Sequence, residues 1–175
     1  MIFNYIIIAF LLILSALFSG LTLGLMGLDT FELKRKVKLK NKDAVKIYPL
    51  RKYGNQLLCT LLIGNVAVNS ALAVFLGSIT QGFMAGLIAT GLIVIFGEII
   101  PQSLFSRHAL KLGAKATPII YVFHIILFPI TWPLSKALDK ALGGELPTIY
   151  SKKELQLLLE DHKISSHSKL DDDDL

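Results

Sequence analysis

One carboxylate stands by itself in the stretch VIFGEIIPQSLF, residues 94–105: Glu98 is the only charged residue between Tyr53 and Ser106. An ionised side chain at membrane depth costs roughly 3 kcal/mol or more, so a partner cation is the first thing to look for. Other polar groups recur at helical spacing in the neighbouring apolar runs. Ser15 and Ser19 are four apart, as are Asn65 and Asn69 in LLIGNVAVN, so each pair shares a helix face. Pro101 has no N–H, so an α-helix there leaves the carbonyl of Gly97, four residues back, without its partner. Hydroxyls, amide oxygens, a freed carbonyl and one carboxylate form a hard-oxygen ligand set. Such a set suits Mg2+, Ca2+ or Na+ and offers nothing to zinc or copper.

Each of these groups has a plainer reading. A serine in a membrane helix more often serves packing, and Gly20 with Gly24 supplies a small-residue face for close helix approach. Asparagine pairs act as hydrogen-bond glue between helices, and Glu98 could be a neutral acid bonded to an asparagine. Depth favours the cation site. Counted from the basic ends of their runs, Ser19, Asn65 and Glu98 all lie about 10–15 Å inside at about 1.5 Å per residue. Three helices thus bring their oxygens to one level.

The elements that must position these groups follow from charge placement. The chain has 175 residues, 53% of them hydrophobic and 18% charged, with mean hydropathy +0.61, which indicates a membrane protein. All 18 Lys and Arg fall outside two windows, 1–33 and 53–106, and nine of them cluster in 34–52. No aromatic interleaving accompanies them, which argues against nucleic acid as a partner in spite of the pI near 9.3. The positive-inside rule reads the clusters as cytoplasmic segments. Cys59 lies alone in an apolar run, so no disulfide forms within the chain.

The fold class expected is an all-α integral membrane protein with three transmembrane helices and a cytoplasmic-side juxtamembrane helical belt. The spans are about 2–28, 55–76 and 83–105, with a basic cytoplasmic helical segment at 29–53 between the first two and the polar turn GSITQG at 77–82. The first run is too long for a signal-peptide core and lacks a basic flank, so it is expected to stay as a span. With 34–52 inside, the N-terminus faces outward. Residues 117–134, TPIIYVFHIILFPITWPL, carry three prolines and have lysines on both flanks, so a crossing there conflicts with the charge bias. They are expected to lie in the inner interface, within a juxtamembrane segment 107–143, as a helix or bent hairpin with Tyr121 and Trp132 near headgroups. His108 and His124 are read as interfacial. The transmembrane domain is expected to occupy 1–150. Ser151 and Glu154 stand at capping-box spacing before an amphipathic stretch, and 151–175 is read as the start of a truncated cytoplasmic region.

At these residues the sequence resembles a known family. FSGLTLGLMGLD, LLIGNVAVN and FGEIIPQSLFSRHAL look like signature segments of the transmembrane domain of the cyclin M / CorC magnesium transporters, in register from about Phe18 to Gly144. The resemblance implies a homodimer in the plasma membrane, with its C-terminus cytoplasmic. It also implies a dehydrated Mg2+ held by Ser19, Asn65, Asn69, Gly97 and Glu98, with Ser15 as an outer member. Na+-coupled Mg2+ efflux is the implied activity, and paired nucleotide-binding CBS domains are implied in the full-length protein, beyond the acidic run SKLDDDDL. Two other classes compete. An enzyme would need a second catalytic group at the level of Glu98, and neither His nor Cys is there, so a non-enzyme is expected. A membrane anchor for regulatory domains would need no polar cluster in lipid.

Overall fold

The computed structural model describes residues 2–79 and 83–142, which form helices joined by short links. The turn residues 80–82 and everything from 143 onward, including the Ser151 helix and the acidic run, lie outside the described residues. In chain order the elements are α1 Ile2–Met26, α2 Thr30–Lys38, α3 Lys42–Arg51, α4 Gly54–Ile79 and α5 Phe83–Leu92. A π-helical segment Ile93–Ile99, α6 Ile100–Arg107 and α7 Ala109–Leu142 follow.

The apolar runs become α1, α4 and the composite α5–π–α6 rod because a helix satisfies its own backbone where water is absent. At the end of α1 the buried guanidinium of Arg51 donates to the carbonyls of Met26 and Leu28, both at 3.3 Å. A cation at a helix C-terminus also suits the helix dipole. The basic segment folds as two short helices. Asp29 caps α2 by accepting from the Glu32 amide at 2.8 Å, and Asn41 caps α3 by accepting from the amides of Asp43 and Ala44 at 3.0 Å. Between them Lys40 takes φ 59°, and the Lys40 and Asn41 amides return to the carbonyls of Val37 and Lys36. That is a Schellman turn with a lysine where glycine is usual.

One core joins these pieces. Phe18, Leu21 and Leu25 of α1 pack with Leu33 of α2, Ile47 and Leu50 of α3, Leu57 and Leu61 of α4, and Ala114 and Ile120 of α7. A smaller cluster, Leu72, Leu76 and Ala89, closes the other ends of α4 and α5 against Ile8 and Leu12 of α1. Gly64 lets α4 approach α1: a Cβ there would lie 2.6 Å from the Phe18 ring.

Among the described residues, four helical stretches are long and apolar enough to cross a membrane, against three in the sequence reading: Ile2–Met26, Gly54–Ile79, Gly86–Arg107 and Ala109–Ala141. The fourth is α7, which runs unbroken through Pro118, Pro129 and Pro133 and is no hairpin. Each proline lacks the N–H that would meet the carbonyl four residues back, and the helix continues across these gaps. The course of α7 is read from its contacts. Gly113 packs on Leu25 and Ile47, Phe123 meets Phe18 edge to face at 4.7 Å, His124 touches Thr60 at 3.1 Å, and Asp139 accepts from Asn55 at 2.6 Å. From His124 to Asp139 α7 advances about 22 Å while its partners on α4 move about 7 Å, so it crosses α4 obliquely. Its start meets the end of α1, its middle reaches Phe18 and Thr60, and Asp139 returns to the beginning of α4.

Candidate cation site

Pro101 decides the local geometry of the third rod. In an α-helix its ring would press on the Gly97 carbonyl and offer it no N–H. The chain answers with wider turns over Ile93–Ile99, where the Ile100 amide bonds five residues back to Ile95. Such π segments are rare and concentrate at functional sites. Gly97 is buried at the contact with α1, where a Cβ would come within 2.6 Å of Ser15 Oγ. Only glycine lets the rod come so close.

The polar groups converge on Asn69. Ser15 Oγ, fully buried, donates to Asn69 Oδ1 at 2.5 Å. That bond orients the amide, so Asn69 Nδ2 faces Asn65 Oδ1 and Glu98 Oε1, each at 3.4 Å. Both contacts are long, and two oxygens of different helices therefore share one weak donor. A cation taking the place of that amide edge would meet Asn65 Oδ1 and Glu98 Oε1 directly. Turning the Asn69 amide over would add its own oxygen.

Of the six residues singled out in the sequence, the structure gathers Ser15, Asn65, Asn69, Gly97 and Glu98 by direct contact. Ser19, also buried, sits one turn along α1 and accepts from Gln102 Nε2 at 2.9 Å. Ser15 thus touches Asn69 directly, while Ser19 meets the third rod through Gln102. Gln102 was missed by the sequence reading. Its signal was available, since it follows Glu98 by four residues and so shares its helix face. The face formed by Gly20 and Gly24 receives Phe105 of α6.

The histidines stand apart from this cluster. Thr60 Oγ1 lies 2.9 Å from the Gln56 carbonyl, to which it donates, and 3.1 Å from His124 Nδ1. His108 lies beside the Leu104 carbonyl, and Cys59 is buried as a free thiol. Among the described residues no three His, Cys, Asp or Glu side chains gather, so the cluster's oxygen donors are hydroxyl, amide, carbonyl and one carboxylate.

The profile of the Cyclin M transmembrane N-terminal domain matches residues 6–169 of this chain. The chain belongs to the cyclin M transmembrane-domain family. This cyclin M domain is 50% identical over 156 residues to metal transporter cnnm-1 of Caenorhabditis elegans, covering 87% of this chain and 19% of that protein. Metal transporter cnnm-2 of the same organism is 42% identical over 156 residues, covering 87% and 20%. A DUF21 domain-containing protein of Arabidopsis thaliana is 41% identical over 160 residues, covering 89% and 38%. This cyclin M domain therefore spans about a fifth to two fifths of the length of these curated relatives.

Proposed function

We propose that this chain is the membrane part of a magnesium transporter, with the ion held between α1, α4 and the π segment. The observation that carries the reading is the convergence of Ser15, Asn65, Asn69 and Glu98 around one amide, beside the Gly97 backbone. Five oxygen donors with one formal charge suit a hard divalent cation. Mg2+ gives up its waters reluctantly, so binding is expected to be modest, which suits an ion that must be released. That two relatives are named metal transporters supports transport over a catalytic role. Sodium-coupled efflux, a homodimer, a plasma-membrane location and cytoplasmic CBS-type domains in the full-length protein belong to the same proposal. Purified protein in liposomes with a trapped Mg2+ dye should show Mg2+ flux that a Na+ gradient accelerates. No flux, with the cation site intact by titration, would favour the alternative of a membrane anchor for regulatory domains.

Asn69 is the hub, so Asn69→Ala should weaken Mg2+ binding more than Asn65→Ala, and Leu at the neighbouring exposed Ser70 should leave it unchanged. If the pair were only interhelical glue, each loss would cost roughly 0.6 kcal/mol of assembly and leave affinity intact. Calorimetric titration beside light scattering separates the two outcomes.

In the proposed topology α1, α4 and the α5–π–α6 rod cross the membrane, with the N-terminus outside, while α7 stays at the inner boundary. The contacts of α7 support this, since its start and Asp139 meet the same ends of α1 and α4. Lysines on both flanks add the charge argument. In a Cys59→Ser background, neither Lys115→Cys nor Lys136→Cys should react with an impermeant thiol reagent in intact cells. Labelling of one from outside would mean that α7 spans.

A further inference from the structure

A second polar site lies away from the cation cluster. Where α2, the end of α3, the start of α4 and the last part of α7 meet, they enclose a groove of about 780 Å³. Three lysines from three elements of sequence line it, Lys34, Lys52 and Lys136, against one carboxylate, Asp139. The lining is formally +2, from three positive charges and one negative. Asp139 is already engaged by the Asn55 amide at 2.6 Å. None of the three lysines forms an ion pair among the described residues. Two of them rest over aromatic rings, Lys52 Nζ at 5.7 Å from the Tyr53 centroid and Lys136 Nζ at 5.4 Å from that of Trp132. Gln56 is also in the wall, with Nε2 buried and without an acceptor among the described residues. A small turn of that side chain toward an entering oxyanion would satisfy it.

The position of the groove identifies the anion. It opens at Gly54, where the charge-free run of α4 begins, and α7 leads away from it with Ile125, Ile126, Phe128 and Ile130 exposed. Trp132 and Tyr53 stand exposed at its rim, as amphipathic rings do at the headgroup level. Phosphate at the lysines with acyl chains along the apolar face of α7 fits both halves. We propose that this groove binds the headgroup of an anionic phospholipid. The proposal holds whichever ion the chain carries.

Trp132 is the protein's single tryptophan, so its emission reports on the groove directly. Purified full chain in detergent is titrated with dioctanoyl phosphatidylglycerol, dioctanoyl phosphatidylcholine or inorganic phosphate. The expected result is a saturable change with phosphatidylglycerol alone. Each lysine near a membrane surface contributes about fivefold, so replacing Lys34, Lys52 and Lys136 by Gln should raise the half-saturating concentration about a hundredfold. The same change at Lys38, Lys40 and Lys111, outside the groove, should leave it unaltered. Equal response to phosphatidylcholine, or equal loss in the control triple, overturns the proposal. Saturation by inorganic phosphate at the same concentration also overturns it, since the acyl chains would then add nothing. Should the groove triple not yield monodisperse protein, Lys136→Gln decides by its own shift of about fivefold.

Discussion

Glu98→Gln is expected to remove Mg2+ binding from this domain while leaving it folded. The carboxylate is the one formal charge in the cluster, and Asn69 Nδ2 at 3.4 Å is a weak substitute for a cation beside it. A glutamine keeps the shape and can keep that bond through its own oxygen. It cannot offset the two charges of a divalent ion, so affinity should fall by more than about a hundredfold, about 3 kcal/mol. Stability should move the other way, since a neutral amide is cheaper to hold in an apolar layer than a carboxylate. Titration calorimetry and a thermal melt on the same sample test both signs. Wild-type affinity in the variant would remove the cation reading and leave Glu98 as a neutral acid bonded to asparagine.

Gly64→Val should prevent the bundle from assembling. Ring atoms of Phe18 lie 2.6 to 2.9 Å from where a Cβ at 64 would stand. Phe18 cannot retreat, being 1% exposed and held edge to face by Phe123. Overpacking of a tight core typically costs about 1–3 kcal/mol, and valine adds two further methyls to the first clash. Size-exclusion profiles after detergent extraction should show aggregated protein, and Gly64→Ala should lower the thermal midpoint in a graded way. Phe18→Leu should partly restore the alanine variant although it weakens the parent. Simple additivity in that pair would show that the two residues do not meet.

How far the sequence revealed this arrangement depends on which physical signal each part left. The three apolar spans were plain because ionised groups are nearly excluded from lipid, and α1, α4 and the third rod end within a few residues of them. Glu98 stood out for the same reason, and Asn65 and Asn69 as amides four apart in an apolar run. Which of Ser15 and Ser19 touches Asn69 was not plain. They are four residues apart, about 6 Å of rise, and share one helix face, so spacing alone does not choose between them. Gln102 escaped because an uncharged amide near a helix end raises no alarm until its partner is known. Prolines left one element open and informed another. In α7 they allowed either a helix or a bent hairpin, and the chain takes the helix. Pro101 correctly marked Gly97 as disturbed, but only coordinates reveal that the disturbance widens the helix over Ile93–Ile99.

That widened stretch gives the third rod a property of crystals more than of springs. It is a dislocation: one surplus residue in the winding, bounded on both sides by regular lattice. This one is pinned. Moving it toward α5 would set the Pro101 ring against the Gly97 carbonyl, and moving it toward α6 would carry it across a residue with no N–H to exchange. Glu98 lies inside the defect and Gln102 just beyond it. The azimuth of the carboxylate on the rod is therefore held by a proline three residues further along the chain.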